Sequence, residues 1–214
     1  VSFKWLLKSA EQGNAFAQWV IGTRFSTGKG VQQDYTEAFK WYLKSAEQGN
    51  SDSQLNVGYA FANGRGVKQD DVEAFKWYLR AAEQGNAYAQ FNVGYGYDTG
   101  EGVEQDDAEA FKWYSKAAEQ GNADAQFNVG YGYDTGEGVE QDDAEAFKWY
   151  LKAAEQEDAD AQFAVGCRYD NGKGIEQDDV EAFKWYLKAA EQEDADAQCV
   201  VGYNYYIGKV VEKD

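Results

Sequence analysis

Six tryptophans stand in a ladder, Trp5, Trp41, Trp77, Trp113, Trp149 and Trp185, each step 36 residues long. The text around each rung repeats too, most fully as AEAFKWYLKAAEQ at 144–156. A period of this length means copies of one supersecondary unit, each too small to bury its apolar face without its neighbours. The 214 residues hold about six copies, and residues 89–114 are identical to 125–150. Pro, Met and His are absent from the whole chain because they are absent from the copied unit.

Residues 71–106 serve as the specimen. In DVEAFKWYLRAAEQ (71–84), Ala74, Trp77, Tyr78, Ala81 and Ala82 follow the i, i+3, i+4, i+7 spacing of a helix face, widened by Phe75 and Leu79. Asp70 is an N-cap with Glu73 three places on, a capping box expected to satisfy two orphan N–H groups. The box recurs as Asp34/Glu37, Asp106/Glu109, Asp142/Glu145 and Asp178/Glu181. This helix, B, is expected at about 1–12, 35–48, 71–84, 107–120, 143–156 and 179–192. Gly85 closes it in a left-handed cap, and Asn86 caps the next helix, A. Helix A is expected at about 14–27, 50–63, 86–99, 122–135, 158–171 and 194–207. Gly94 lies inside it at a helix cost of about 1 kcal/mol. Its recurrence at Gly22, Gly58, Gly130, Gly166 and Gly202 predicts close approach of a neighbouring helix, under the Trp. The loop GEGVEQD (100–106) returns the chain, with Val103 turned inward. Helix pairs of this kind predict an all-α, right-handed α/α superhelical solenoid of the tetratricopeptide kind, with about six helix-pair repeats.

The pattern A-x-x-W-Y-x-K-A-A-E-Q-G-N-A-x-A-Q-x-x-V-G-x-x-Y-x-x-G-x-G-V-x-Q-D, legible from Ala74 to Asp106, resembles the Sel-one-like repeat family over essentially the whole chain. The resemblance implies a solenoid acting as a protein-interaction scaffold, common in bacterial exported and signalling proteins, with no shared catalytic residues. A bacterial regulator, or an immunity protein covering a toxic enzyme, would fit it.

Departures from the repeat carry their own expectations. Glu157-Asp158 and Glu193-Asp194 replace Gly-Asn. A left-handed Glu costs roughly 1–2 kcal/mol, so either the strain is tolerated or these turns close differently. Val210 takes the place of Gly102, which should alter the last loop, and Trp19 stands on the first helix A where the next four copies carry Leu or Phe. Val1 matches the third residue of a helix B, and Asp214 the N-cap of another. Residues 1–214 thus read as one solenoid cut within a repeat at both ends, which is either a fragment or a surface for head-to-tail self-association.

A net charge of −18 argues against nucleic acid and against an anionic membrane surface, and favours a basic or polar protein or peptide partner. No apolar run is long enough to span a bilayer. No cofactor is implied. Catalysis lacks a His and any Ser or Cys beside a base, and the carboxylate pairs sit in caps. YDTGEGVEQDD (97–107) departs from calcium-loop spacing, and two Cys without His cannot complete a zinc site. Cys167 and Cys199 read as small apolar filler, with a disulfide as the alternative.

Binding remains. With the packing positions of helix A removed, a stripe is left at 88, 92, 95 and 99. It carries Tyr88, and successive copies add Asn56, Asn92 and Asn128 beside Tyr59, Tyr95 and Tyr131. Asn is a poor mid-helix residue, so a ladder of them suggests outward-facing amides that bracket an extended peptide, with Tyr as contact area. Asp52, Asp124, Asp160 and Asp196 flank the stripe and favour a basic segment on the concave face. Recent duplication alone would also repeat these residues. The alternative class is a structural, self-assembling or idealised repeat protein.

Overall fold

A computed structural model describes residues 2–209, so the expectations for Val1, Val210 and Asp214, and with them the two open ends, lie outside the described residues. Among the described residues there are twelve helices and no strand. They are α1 (Ser2–Glu11), α2 (Ala15–Thr27), α3 (Tyr35–Ala46), α4 (Ser51–Asn63), α5 (Asp71–Glu83) and α6 (Ala87–Thr99). Then follow α7 (Asp107–Glu119), α8 (Ala123–Thr135), α9 (Asp143–Ala154), α10 (Ala159–Asn171), α11 (Asp179–Glu191) and α12 (Ala195–Ile207). Odd numbers are B helices and even numbers A helices, in the phase expected. The chain forms two compact units, one ending at Asp106 and one beginning at Asp107. Within them each A helix packs more extensively on the B helix after it (α2 on α3, α4 on α5, α8 on α9, α10 on α11) than on the one before.

The caps explain the helix boundaries. Asp34, Asp142 and Asp178 each accept from two N–H groups of the first turn, and Asp70 from that of Glu73. The reciprocal half of the capping box is not made. The N–H of Asp70 donates instead to the Phe61 carbonyl at 3.1 Å, and that of Asp142 to Tyr133 at 2.9 Å. The Glu side chains turn to Lys three residues on, as in Lys76–Glu73 at 2.7 Å and Lys148–Glu145 at 2.6 Å. The return loop folds the N-cap back onto a carbonyl in the last turn of the preceding A helix, and the carboxylate is left on the surface.

Glu157 and Glu193 keep the left-handed turn, at φ 67° and 69°, so the strain is tolerated. Replacing both with Gly removes about 1–2 kcal/mol of side-chain clash per site, offset in part by Gly's larger unfolded-state entropy. The double variant should melt several degrees higher; an unchanged or lower Tm would mean these side chains make compensating contacts.

Packing corrects the expectation about the interior glycines. Gly22, Gly58, Gly130 and Gly166 lie under Tyr, not Trp: a Cβ on Gly58 would stand 2.6 Å from Tyr78 Cδ1, and one on Gly166 2.7 Å from Tyr186 Cδ1. The Tyr column is buried, with Tyr42 at 5% exposure and Tyr150 at 3%. Trp41, Trp113, Trp149 and Trp185 are half-buried at the flank, whereas Trp77 is buried; each lies under a cation one turn on, as in Arg80 over Trp77 at 4.4 Å and Lys152 over Trp149 at 3.5 Å. Within each pair an edge-to-face ring contact joins the two helices, for example Phe75–Tyr97 and Phe147–Tyr169, both at 5.3 Å between centroids.

A glutamine ladder completes the core. Gln54 and Gln126, both buried, donate to the carbonyls of Ala46 and Ala118 at 3.2 and 3.1 Å, closing the ends of α3 and α7. Their own carbonyl oxygens accept from Gln84 and Gln156 of the next B helix at 2.6 and 2.7 Å. One residue type thus satisfies a helix terminus and ties it to the following repeat.

Candidate functional site

Three predicted residues meet in the first unit. Tyr59 from α4 and Asn92 and Tyr95 from α6 stand at a cavity of about 240 Å³, floored by Ala74, Phe75 and Tyr78 of α5 and by Gly96. Asp71, at the start of α5, and Glu101, in the return loop, complete its wall. Floor residues are buried, whereas Tyr59 and Tyr95 are 46% and 43% exposed. Burial, then the neighbouring Tyr59 and Glu101, holds the Tyr78 phenol well above its usual value, so it remains a neutral hydroxyl. Gly96 makes the space. A Cβ there would stand 2.8 Å from the Phe75 ring.

The other predicted residues are placed differently. Asn56 lies beside Tyr59 at a smaller void of about 30 Å³, one repeat earlier, where Arg65 also lines the wall. Tyr88 is 66% exposed on α6 and lines no described cavity. Asp52 accepts from the side-chain amide of Asn86, the N-cap of α6, at 3.1 Å, so it braces the next helix. Asn128, Tyr131 and Asp124 lie on α8 in the second unit, with Tyr131 and Asp124 exposed.

The asparagines are not as free as expected. Asn92 Nδ2 donates to the Tyr88 carbonyl at 2.7 Å, Asn128 Nδ2 to Asp124 at 3.0 Å, and Asn56 to Asp52. Each amide bonds back onto its own helix, so Oδ1 and one N–H are left for a partner.

The corresponding place in the second unit is filled. Arg168 of α10, the counterpart of Gly96, is 6% exposed and pairs through Nη2 with the Asp134 carboxylate. Its Nη1 lies 3.7 Å from Asp143, and its guanidinium 5.5 Å from the Tyr150 ring centroid. Lys173 adds contacts of 2.5 Å to Asp134 and 3.1 Å to Asp143. Burial alone would raise the Asp134 carboxyl, but hydrogen bonds from Arg168 and Lys173 outweigh it and hold the group below its usual range.

Sequence reading missed Asp71, Gly96 and Glu101, taking them as helix start, A-helix residue and loop acid. A signal was present in register: position 101 reads Lys29, Arg65, Glu101, Glu137, Lys173, Lys209 down the repeats. Among the described residues no cluster of His, Cys, Asp and Glu is arranged to hold a metal ion. None of the described helices is long and apolar enough to cross a membrane. Both cysteines are free, Cys167 half-buried and Cys199 exposed, and burial pushes the Cys167 thiol up.

Comparison with known proteins agrees with this geometry. The Sel1 repeat profile matches residues 2–14, 15–50, 51–86, 87–122, 123–158, 159–194 and 195–214. Its frame joins an A helix to the B helix after it, which within the two units is the more extensively packed pair. Among solved structures, c5321, a protective antigen of uropathogenic Escherichia coli displaying an SLR fold, is 40% identical with a TM-score of 0.93, over 99% of this chain and 45% of that one. A Sel1 repeat protein from Oxalobacter formigenes is 37% identical with a TM-score of 0.86, over 95% of this chain and 81% of that one. The immunity protein Pa5087 from Pseudomonas aeruginosa shares the fold alone, at 18% identity and a TM-score of 0.51 over 86% of this chain and 67% of that one. This chain therefore spans less than half of c5321. No curated protein matches the chain at a significant level. Sel1 repeat proteins are in general non-enzymatic protein-interaction scaffolds. With the repeat matched from residue 2 to residue 214 and the same helix pairs in relatives above a third identical, this chain belongs to the Sel1 repeat family.

Proposed function

We propose that the chain is a non-enzymatic scaffold holding a peptide or protein segment along the exposed face of its A helices, centred on Tyr59, Asn92 and Tyr95. The observation that carries this is the opening itself. Two exposed tyrosines and a half-exposed amide border a cavity whose floor is aromatic and whose wall is acidic. Tyr supplies rigid amphipathic contact area at low entropic cost, and such residues dominate protein interfaces. The net charge of −18 favours a basic segment and speeds its approach.

Selection of peptides from a random displayed library against the full chain supplies a measurable partner. The double variant Asn92→Ala, Tyr95→Ala should weaken the selected peptides about tenfold or more, about 1.4 kcal/mol, with Tm nearly unchanged because both side chains stand at the surface. Affinity equal to that of the unsubstituted chain would remove these residues from the binding face.

A further inference from the structure

Resting on the scaffold reading, we infer that the cavity at Tyr59, Tyr78 and Tyr95 is a receptor for one arginine side chain of the bound segment, its guanidinium seated between the aromatic rings and the carboxylates of Asp71 and Glu101.

The chain carries the template for this occupant within itself. One repeat earlier, the position of Glu101 is held by Arg65, whose guanidinium lies 5.3 Å from the Tyr35 ring centroid and 5.1 Å from that of Tyr59. There the void shrinks to about 30 Å³. Two repeats later, the position of Gly96 is held by Arg168, on the Tyr150 ring and between the carboxylates of Asp134 and Asp143. Asp143 is the counterpart of Asp71, and Tyr150 of Tyr78. A third instance uses Lys209, which reaches Asp170 at 2.7 Å and Asp179, another counterpart of Asp71, at 3.2 Å. In each of these three repeats the chain's own cation fills the place.

At the 240 Å³ cavity both sources of that cation are gone. Gly96 has no side chain, and Glu101 has the opposite charge. What remains is buried Phe75 and Tyr78 below, exposed Tyr59 and Tyr95 at the mouth, and two solvent-exposed carboxylates, Asp71 in the place of Asp143 and Glu101 from the loop, while Ala62 takes the place of Asp134. Arginine fits better than lysine. Its planar, weakly hydrated guanidinium stacks on aromatic faces while donating to carboxylates, as Arg168 does, whereas an ammonium keeps its water.

The test is an NMR titration of the ¹⁵N-labelled full chain with Nα-acetyl-arginine methylamide, and with the lysine and citrulline equivalents. Arginine should give saturable shifts centred on Tyr59, Tyr78, Tyr95 and Gly96, and the uncharged citrulline at least tenfold weaker binding. Glu101→Gln with Asp71→Asn should weaken arginine at least tenfold. Glu101→Arg, which supplies the cation as Arg65 does one repeat earlier, should abolish the shifts and raise Tm. Citrulline binding as well as arginine, shifts centred elsewhere, or unaltered arginine binding by the Glu101→Arg chain would each overturn the inference. The two readings fail separately. If selected peptides still depend on Tyr95 while arginine leaves the spectrum unchanged, the receptor is lost and the scaffold stands. If arginine fills the cavity while peptide binding ignores Asn92 and Tyr95, the reverse holds.

Discussion

Gly174→Ala should destabilise the second unit by about 3–5 kcal/mol, a large effect for a single methyl. Gly174 sits in the return loop after α10 at φ 78°, a conformation that costs an L-residue about 1–2 kcal/mol. A Cβ there would also collide with the carbonyl of Asp143, the first residue of α9. Backbone cannot swing aside as a side-chain tip can, so either the loop lifts or α9 shifts. Lifting the loop would withdraw Ile175 from the Phe147 and Tyr150 cluster. Gly172, two residues earlier at φ 66°, largely isolates the conformational part, for its Cβ would stand no closer than 3.3 Å to any atom, the nearest being Gln177 Cβ. Gly172→Ala should therefore cost only about 1–2 kcal/mol. Urea melts compare the two, and hydrogen exchange of the α9 amides locates the damage. Equal costs would show that the loop does not press on α9.

The second large effect is a reversal of sign. Tyr150→Ala should cost about 3–5 kcal/mol, since the ring is 3% exposed and packs on Phe127 with centroids 5.3 Å apart. Gly130→Ala alone should also destabilise, by about 1–2 kcal/mol net. Its Cβ would stand 2.8 Å from Tyr150 Cδ1 in a space closed by Phe127 and Arg168, which outweighs the gain of about 1 kcal/mol in helix propensity. Once the ring is gone, the same Gly130→Ala should stabilise by about that 1 kcal/mol. A double-mutant cycle by denaturant melts therefore gives a coupling of about 2 kcal/mol or more. Gly202 provides the control within the wild-type chain. Among the described residues nothing lies within 4 Å of its absent Cβ, so Gly202→Ala should stabilise without any second change. Additive values in the cycle would mean that Gly130 is kept for another reason.

These cases show where sequence reading stops. The interior glycines implied a close neighbour, and one is present at Gly22, Gly58, Gly130 and Gly166. Choosing between Trp77 and Tyr78 as the pressing ring was beyond periodicity, since adjacent residues sit about 100° apart on a helix and both border the apolar face. Both rings are 8% exposed, but it is Tyr78 that faces Gly58 of the preceding A helix, while Trp77 packs beneath Arg80. The buried glutamines escaped notice for a related reason. Gln54 is polar by composition, and only the exposed end of α3 beside it turns it into a core residue. Of the predicted binding stripe, Tyr59, Asn92 and Tyr95 converge on one opening, whereas Asp52 is taken up by the cap of α6.

Local chemistry was enough for the sequence to determine the period, the twelve helices and their Asp and Asn caps, because each depends on residues within a turn or two of one another. Tertiary structure decided that a cavity opens beside Tyr78, whereas Arg168 lies on the counterpart ring of Tyr150. That outcome depends on side chains about 36 residues apart lying against each other: whether the space beside Tyr78 is empty is set jointly by Tyr59, Gly96 and Glu101, and none of the three says so by itself.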